Sequence, residues 1–413
     1  MLPMRQVSYV ISTYTSDISG VCSALYELGG MVVIHDPSGC NSTYNTHDEP
    51  RWFDQDSAIF ISGLSQMDAV MGSDDKFVQD IIRAAEELQP AFIALVRSPI
   101  PLMIGTDFEG IAREVETATG IPTFFVPTTG MKSYIQGAGM ALESVVRYLM
   151  PEKGISDQEN DRGEAAGGNR PLRVNLLGVT PLDFSVNASY DKLISYLQER
   201  GFSFQGSLAL KTDYEQMSAM PQADVNLVVT SCGYPAARAM KERYGIPYVV
   251  GLPCGVLADR IAEDLTRAAD SGRDIISYRH AEHGCRQSGL SPSDKSPGGS
   301  SSICDNDIFS QERPGMLIHE PVIAQCLALA YGAREKRELL AVTMLDTAEE
   351  LCGEGLIRVD SEEEMQKILC QAGRIYADPM FRPICREEIP FIPLPHEAFS
   401  GRIYRREMPL LLW

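Results

Sequence analysis

Short, unbroken apolar runs alternate with amphipathic stretches along almost all of this 413-residue chain. Runs at 31–35, 58–62, 91–96 and 122–126 are rich in Val, Ile, Leu and Phe and have the length of strands; another is read at 7–12. Between them, 74–88 and 107–119 carry helical spacing, with Phe77, Val78, Ile81, Ile82 and Leu88 along one stripe of the first. Strands that are apolar at successive positions, not at alternate ones, are buried on both faces. That pattern predicts parallel sheets covered by helices on each side.

The alternation is interrupted twice. Residues 152–170 are polar, charged and glycine-rich and read as a linker; 288–302 are of low complexity and read as flexible. After the first break come strands at 174–177, 203–209, 225–230 and 248–251, with helices at 190–199, 236–244 and 257–269. After the second come strands at 316–319, 339–342 and 374–377, with helices at 322–331 and 362–372. The expected organisation is an N-terminal α/β domain (1–151), a linker (152–170), a middle α/β domain (171–287), a flexible segment (288–313) and a C-terminal α/β domain (314–413). The fold class is α/β, three doubly wound, Rossmann-like domains with mainly parallel sheets. In such sheets ligands sit beyond the carboxyl ends of the strands. The segments to search are therefore 13–17, 35–40, 97–101, 180–183, 231–234, Cys254, 319–321 and 378–381.

Composition excludes some functions. There are 56 acidic against 36 basic residues, a net charge of −20, and no basic cluster offsets it. Phosphate backbones and anionic membranes are repelled by such a surface, so nucleic acid is not an expected partner. No run approaches the roughly 18 apolar residues of a membrane helix, and no signal peptide is read at the N-terminus. A cytoplasmic location is expected. The ten cysteines contain no C-x-x-C pair, which leaves no local zinc or thioredoxin-like motif. No G-x-x-x-x-G-K-[ST] loop is present, so no ATP site is expected in this chain.

Five segments carry candidate chemistry. In Ile34-His35-Asp36-Pro37-Ser38-Gly39-Cys40 a strand ends and a glycine turns the chain toward a helix with Cys40 at its start. A helix N-terminus favours a thiolate, which suits soft iron; a packed thiol is the plain alternative. Cys232 in Thr230-Ser231-Cys232-Gly233-Tyr234 ends another strand, and a buried thiol is its plain reading. His396 lies in Pro395-His396-Glu397-Ala398-Phe399-Ser400-Gly401-Arg402, where a loop histidine bonded to backbone is the alternative. The charged set His47, Asp48, Glu49 and Arg51 lines a cleft or forms ion-paired surface. Glu320 in His319-Glu320-Pro321 is placed to be favoured by a helix N-terminus. His280, His283 and Cys285 lack a fourth partner and read as solvated loop.

Taken in order, Ala24-Leu25, His35–Cys40, His47-Asp48-Glu49-Pro50-Arg51, Ile104-Gly105-Thr106-Asp107, Val225–Val228 and Tyr244-Gly245-Ile246-Pro247 resemble the nitrogenase component 1 subunits across nearly the whole chain. The resemblance implies that Cys40 supplies a thiolate to an iron–sulfur cluster at a subunit interface. The family's first and third cluster cysteines fall near Thr15 and Pro99 here. Cys22, seven residues away, is the substitute ligand, and a four-ligand cubane would draw Cys40 and Cys22 from each half of a dimer. Cys232 and His396 fall near the family's two ligands to a large metallocofactor, so they are its candidate binding residues. The implied activity is that of an oxidoreductase subunit. It takes electrons from a nitrogenase-reductase-like iron–sulfur ATPase, pairs with itself or a sister subunit, and reduces a substrate or metallocofactor bound between domains. Reduction of a tetrapyrrole belongs to the same family. A non-catalytic metallocofactor assembly scaffold and a small-molecule or tetrapyrrole-binding protein are the alternatives.

Overall fold

The structure is a computed structural model, and it describes residues 10, 15–37, 49–52, 54–72, 74–152, 170–280 and 313–412. Most of the expected strand at 7–12, residues 153–169 of the predicted linker, residues 288–312 of the predicted flexible segment, and Cys40, His47, Asp48, His283 and Cys285 lie outside the described residues.

The first unit begins with helix α1 (Asp17–Leu25), in which every residue is buried. Strands β1 (Met31–His35), β2 (Ala58–Ile61), β3 (Ile93–Arg97) and β4 (Thr123–Val126) form a parallel sheet in the order β2-β1-β3-β4. Helices α2 (Asp75–Leu88) and α3 (Phe108–Thr119) cover one face. Phe77, Val78, Ile81 and Ala85 of α2 meet Phe108, Ile111 and Val115 of α3 over Met31, Ile93 and Leu95. On the other face α1 packs against α4 (Tyr134–Ser144), backbone on backbone. A Cβ at Gly20 would stand 2.2 Å from the Tyr134 carbonyl oxygen, and one at Gly137 1.8 Å from that of Asp17. Only glycine permits that approach.

The middle unit contains β5 (Arg173–Leu177), β6 (Ser203–Ser207), β7 (Val225–Val228), β8 (Tyr248–Val250) and the two-residue β9 (Ile275–Ile276), in the order β6-β5-β7-β8-β9 and all parallel. Its principal helices are α5 (Ser189–Glu199), α6 (Tyr234–Tyr244) and α7 (Leu257–Ser271). The third unit contains β10 (Gly315–Ile318), β11 (Leu339–Thr343), β12 (Leu356–Arg358), β13 (Arg374–Ala377) and β14 (Phe391–Pro393), in the order β12-β11-β10-β13-β14 and again parallel. Helices α8 (Pro321–Glu335) and α9 (Glu362–Leu369) belong to it.

Strand order reverses direction between β1 and β3, between β5 and β7, and between β10 and β13. These are the topological switch points at which doubly wound sheets open a crevice. A single apolar core runs through all three units, from Ile18 and Val21 through Leu176 and Leu227 to Leu317 and Ile375. Among the described residues no helix is long and apolar enough to cross a membrane.

Candidate functional site

The switch points of the middle and third units meet in one buried polar cluster. After β5 the chain turns through a four-residue helix, Pro181–Phe184. Thr180 Oγ1 there donates to Asp183 Oδ2 at 2.7 Å. After β7, Thr230 Oγ1 donates to the Gly178 carbonyl at 2.6 Å and lies 3.0 Å from Cys232 Sγ. After β10 come His319 and Glu320. Glu320 caps α8 by accepting from Ile323 N at 2.8 Å, and its other oxygen accepts from Ser231 N at 2.7 Å, tying the two units together. After β13, Asp378 Oδ2 accepts from the His396 backbone N–H at 2.7 Å. That bond fixes the loop beyond β14, which carries His396.

The first unit completes the cluster through Tyr134, the first residue of α4. Its hydroxyl donates to Asp183 Oδ1 at 2.5 Å and lies 3.3 Å from His396 Nε2, which is itself 3.1 Å from Asp183 Oδ1. The His319 ring stacks on the His396 ring, centroids 4.1 Å apart and 21° between planes. Among the described residues, neither ring nitrogen of His319 has a hydrogen-bond partner. Tyr134, Asp183, Cys232, His319, Glu320 and His396 are all buried.

Among the described residues no Lys or Arg pairs with Asp183 or Glu320, so the cluster is arranged to avoid charge. Burial pushes Asp183 up to about 7 despite hydrogen bonds from Tyr134 and Thr180 that favour its anion. Burial, with the nearby Asp183 adding to it, pushes Glu320 up to about 8. Burial pulls His396 down to about 3, and burial plus the neighbouring His396 hold His319 well below the ordinary imidazole value. Tyr134 and the Cys232 thiol are raised by burial first and by Asp183 second. Near neutral pH Glu320 keeps its proton, Asp183 titrates and the imidazoles are neutral, with Tyr134, Asp183 and His396 in hydrogen-bonding reach of one another. Such a set can release and recover protons without bulk water.

The cluster joins two residues expected from the sequence, Cys232 and His396, but their donor atoms face other side chains. Cys232 Sγ lies on Thr230, and His396 Nε2 on Asp183 and Tyr134. Among the described residues no group of three or more His, Cys, Asp or Glu is arranged to hold a metal ion. These residues therefore do not fit a metallocofactor as they stand. Cys22 does not serve as a presented ligand either. It is completely buried in α1 within the apolar core, where burial raises its thiol far above the ordinary value, because that face of α1 packs inward. Thr15 bonds the Ala398 carbonyl through both its backbone N–H and its hydroxyl. Pro99 opens the short helix Pro99–Ile104.

Glu49 and Arg51 form a buried ion pair, not an ion-paired surface. Arg51 is buried and bridges Glu49 at 2.6 Å and Glu27 at 2.7 Å, donates to the carbonyls of Ser23 and Ala209, and lies over the Tyr26 ring. His35 is buried against Phe77, with Nδ1 2.7 Å from Ser62 Oγ; burial lowers it to about 4. Sequence reasoning placed Asp183 in a segment to be searched without singling it out. It passed over Tyr134, which stands in a glycine-rich stretch with no helical stripe.

This fold and its facing switch points agree with what comparison finds: the chain belongs to the nitrogenase component 1 type oxidoreductase family, whose model matches residues 18–283. It is 24% identical over 260 residues to the nitrogenase iron-molybdenum cofactor biosynthesis protein NifE of Klebsiella pneumoniae, covering 60% of this chain and 54% of that protein. Over 189 residues it is 25% identical to a light-independent protochlorophyllide reductase subunit of Picosynechococcus sp., covering 45% of this chain and 36% of that one. Over 233 residues it is 26% identical to the nitrogenase molybdenum-iron protein alpha chain of Methanothermobacter marburgensis, covering 52% and 47%. The chain thus spans about half the length of the curated relatives it matches. A solved structure described as "Nitrogenase Cp1 at pH 6.5" superposes with a TM-score of 0.65 over 98% of this chain and 90% of that one at 13% identity, a likeness of fold.

Proposed function

We propose that the chain is a component 1-type redox subunit that pairs with itself or a sister subunit and takes electrons from a nitrogenase-reductase-like iron–sulfur ATPase. It reduces a substrate at the junction of its three units. The observation that carries this reading is the buried Tyr134–Asp183–His396 network with Glu320 and His319 beside it. Burying this many ionisable groups without a counter-ion opposes folding, and perturbed acids at a switch point mark sites of chemistry. Reduction of an unsaturated substrate consumes protons along with electrons. The partner would supply the electrons, and Asp183, Glu320 and Tyr134 the protons, with His396 and Thr180 orienting Asp183.

The test is anaerobic. The chain is mixed with a dithionite-reduced reductase-like ATPase, MgATP and protochlorophyllide as the unsaturated electron acceptor, and oxidation of the reductase's iron–sulfur chromophore is followed. Chain-dependent, ATP-dependent oxidation is expected. Asp183→Asn should slow steady turnover by about 100-fold or more, the usual worth of a general acid, while the first electron is still accepted. A reductase that stays reduced would refute the proposal. It would favour the second reading, an assembly scaffold or a tetrapyrrole-binding protein, which the cofactor-biosynthesis and protochlorophyllide-reductase relatives motivate.

A further inference from the structure

We infer that the junction of this chain is closed to the large metallocofactor that the family resemblance assigns to Cys232 and His396, and that Tyr134 is the residue that closes it. The inference concerns the same junction as the proposed function but stands on packing alone. Among the described residues Tyr134 is the largest fully buried side chain. Its ring lies edge-on to His396, centroids 6.1 Å apart, and its hydroxyl packs against both that histidine and Asp183, which touch each other.

The ring cannot yield by a shift of α4. Tyr134 N donates to the Thr15 carbonyl at 2.9 Å. The residue before it, Ser133, is held through N and Oγ by Asp346 of the third unit at 3.2 and 2.9 Å. The backbone of α4 already touches α1 at Gly20 and Gly137. Cys232 is enclosed as tightly. A Cβ on its neighbour Gly233 would lie 2.6 Å from the Leu177 backbone, and one on Gly139 3.1 Å from Pro235 and 3.5 Å from the Cys232 carbonyl. One face of His396 is covered by His319. A bulky inorganic group between Cys232 and His396 would have to displace Tyr134 and break these tethers together. A substrate reduced here would be met by protein acids with no cluster mounted on those two side chains.

The experiment compares metal content and zinc uptake. Wild-type chain, Cys232→Ser and His396→Gln are purified anaerobically and analysed for iron and molybdenum, then titrated with Zn(II). Equal metal content in all three is expected. Tyr134→Phe, which keeps the ring, should take up no more zinc than wild type. Tyr134→Ala, which vacates the space beside Asp183 and His396, should gain zinc binding, lost again in Tyr134→Ala/His396→Gln. Iron or molybdenum in the wild type that Cys232→Ser or His396→Gln removes would overturn the inference. So would a folded Tyr134→Ala chain that gains no zinc, since closure would then not be the work of Tyr134. Electron uptake from the reductase is a separate readout, so either proposal can fail without the other.

Discussion

Asp183 and Glu320 keep their protons near neutrality because folding removes them from water, and this has a consequence for stability. Their folded values, about 7 and about 8, stand above those of an unfolded chain. The folded state therefore holds protons that the unfolded state has released, and stability falls as pH rises through that window. His396, at about 3, and His35, at about 4, act in the opposite sense. The unfolded chain protonates them below about pH 6.5, so stability falls on acidification below that point. Above it the raised acids act without that opposition. Melting temperature should drop between about pH 6.5 and 8.5; Glu320→Gln should flatten that limb, while Asp183→Asn, which removes a proton difference lying mostly below about pH 7, should steepen the acid limb. Arg51 makes a second residue-scale prediction. Removing one member of a buried ion pair strands the others, so Arg51→Ala should cost about 3–5 kcal/mol, read from the urea midpoint. Cys232 was visible in the sequence because it ends a predicted strand, and His396 because its segment resembles the family's C-terminal one. Arg51 was visible only as a charge, since nothing local says that Glu27, Ser23 and Ala209 will enclose it.

The elements show why some structure is legible and some is not. Strands β1, β3, β5, β7, β10 and β13 are the central strands of their sheets, apolar at successive positions because both faces are covered. Strands β9, β12 and β14, of two or three residues, lie at sheet edges and carry no such run. Helices α2 and α3 show a stripe because one side meets solvent. Helix α1 is buried all round, and α4 is rich in glycine because it approaches α1 so closely, so neither displays a periodic pattern. Their contact is testable. At Gly137 an added methyl would meet the Asp17 carbonyl, which is backbone and cannot step aside. Gly137→Ala should lose about 1–3 kcal/mol or more, seen as a lower melting temperature. Gly355→Ala, where nothing lies within 4 Å, should leave the melting temperature unchanged.

For the molecule as a whole, the alternation of runs and stripes announced three doubly wound sheets, and the carboxyl-edge rule marked the segments that line the junction. Which crevice would face which was not readable, because that follows from the contacts of α4 and α6 and from Glu320 reaching Ser231, pairs far apart in sequence. The same long reach governs how the polypeptide is completed. Thr15 is held by Ala398, Ser185 by Glu397, Asn187 by the Pro409 carbonyl and Lys192 by that of Leu412. During synthesis, the segments around residues 15 and 185 leave the ribosome long before the stretch that secures them. Until residues 394–412 emerge, the earlier units must wait with their inner seams open, and a chaperone that guards nascent chains has that interval in which to act.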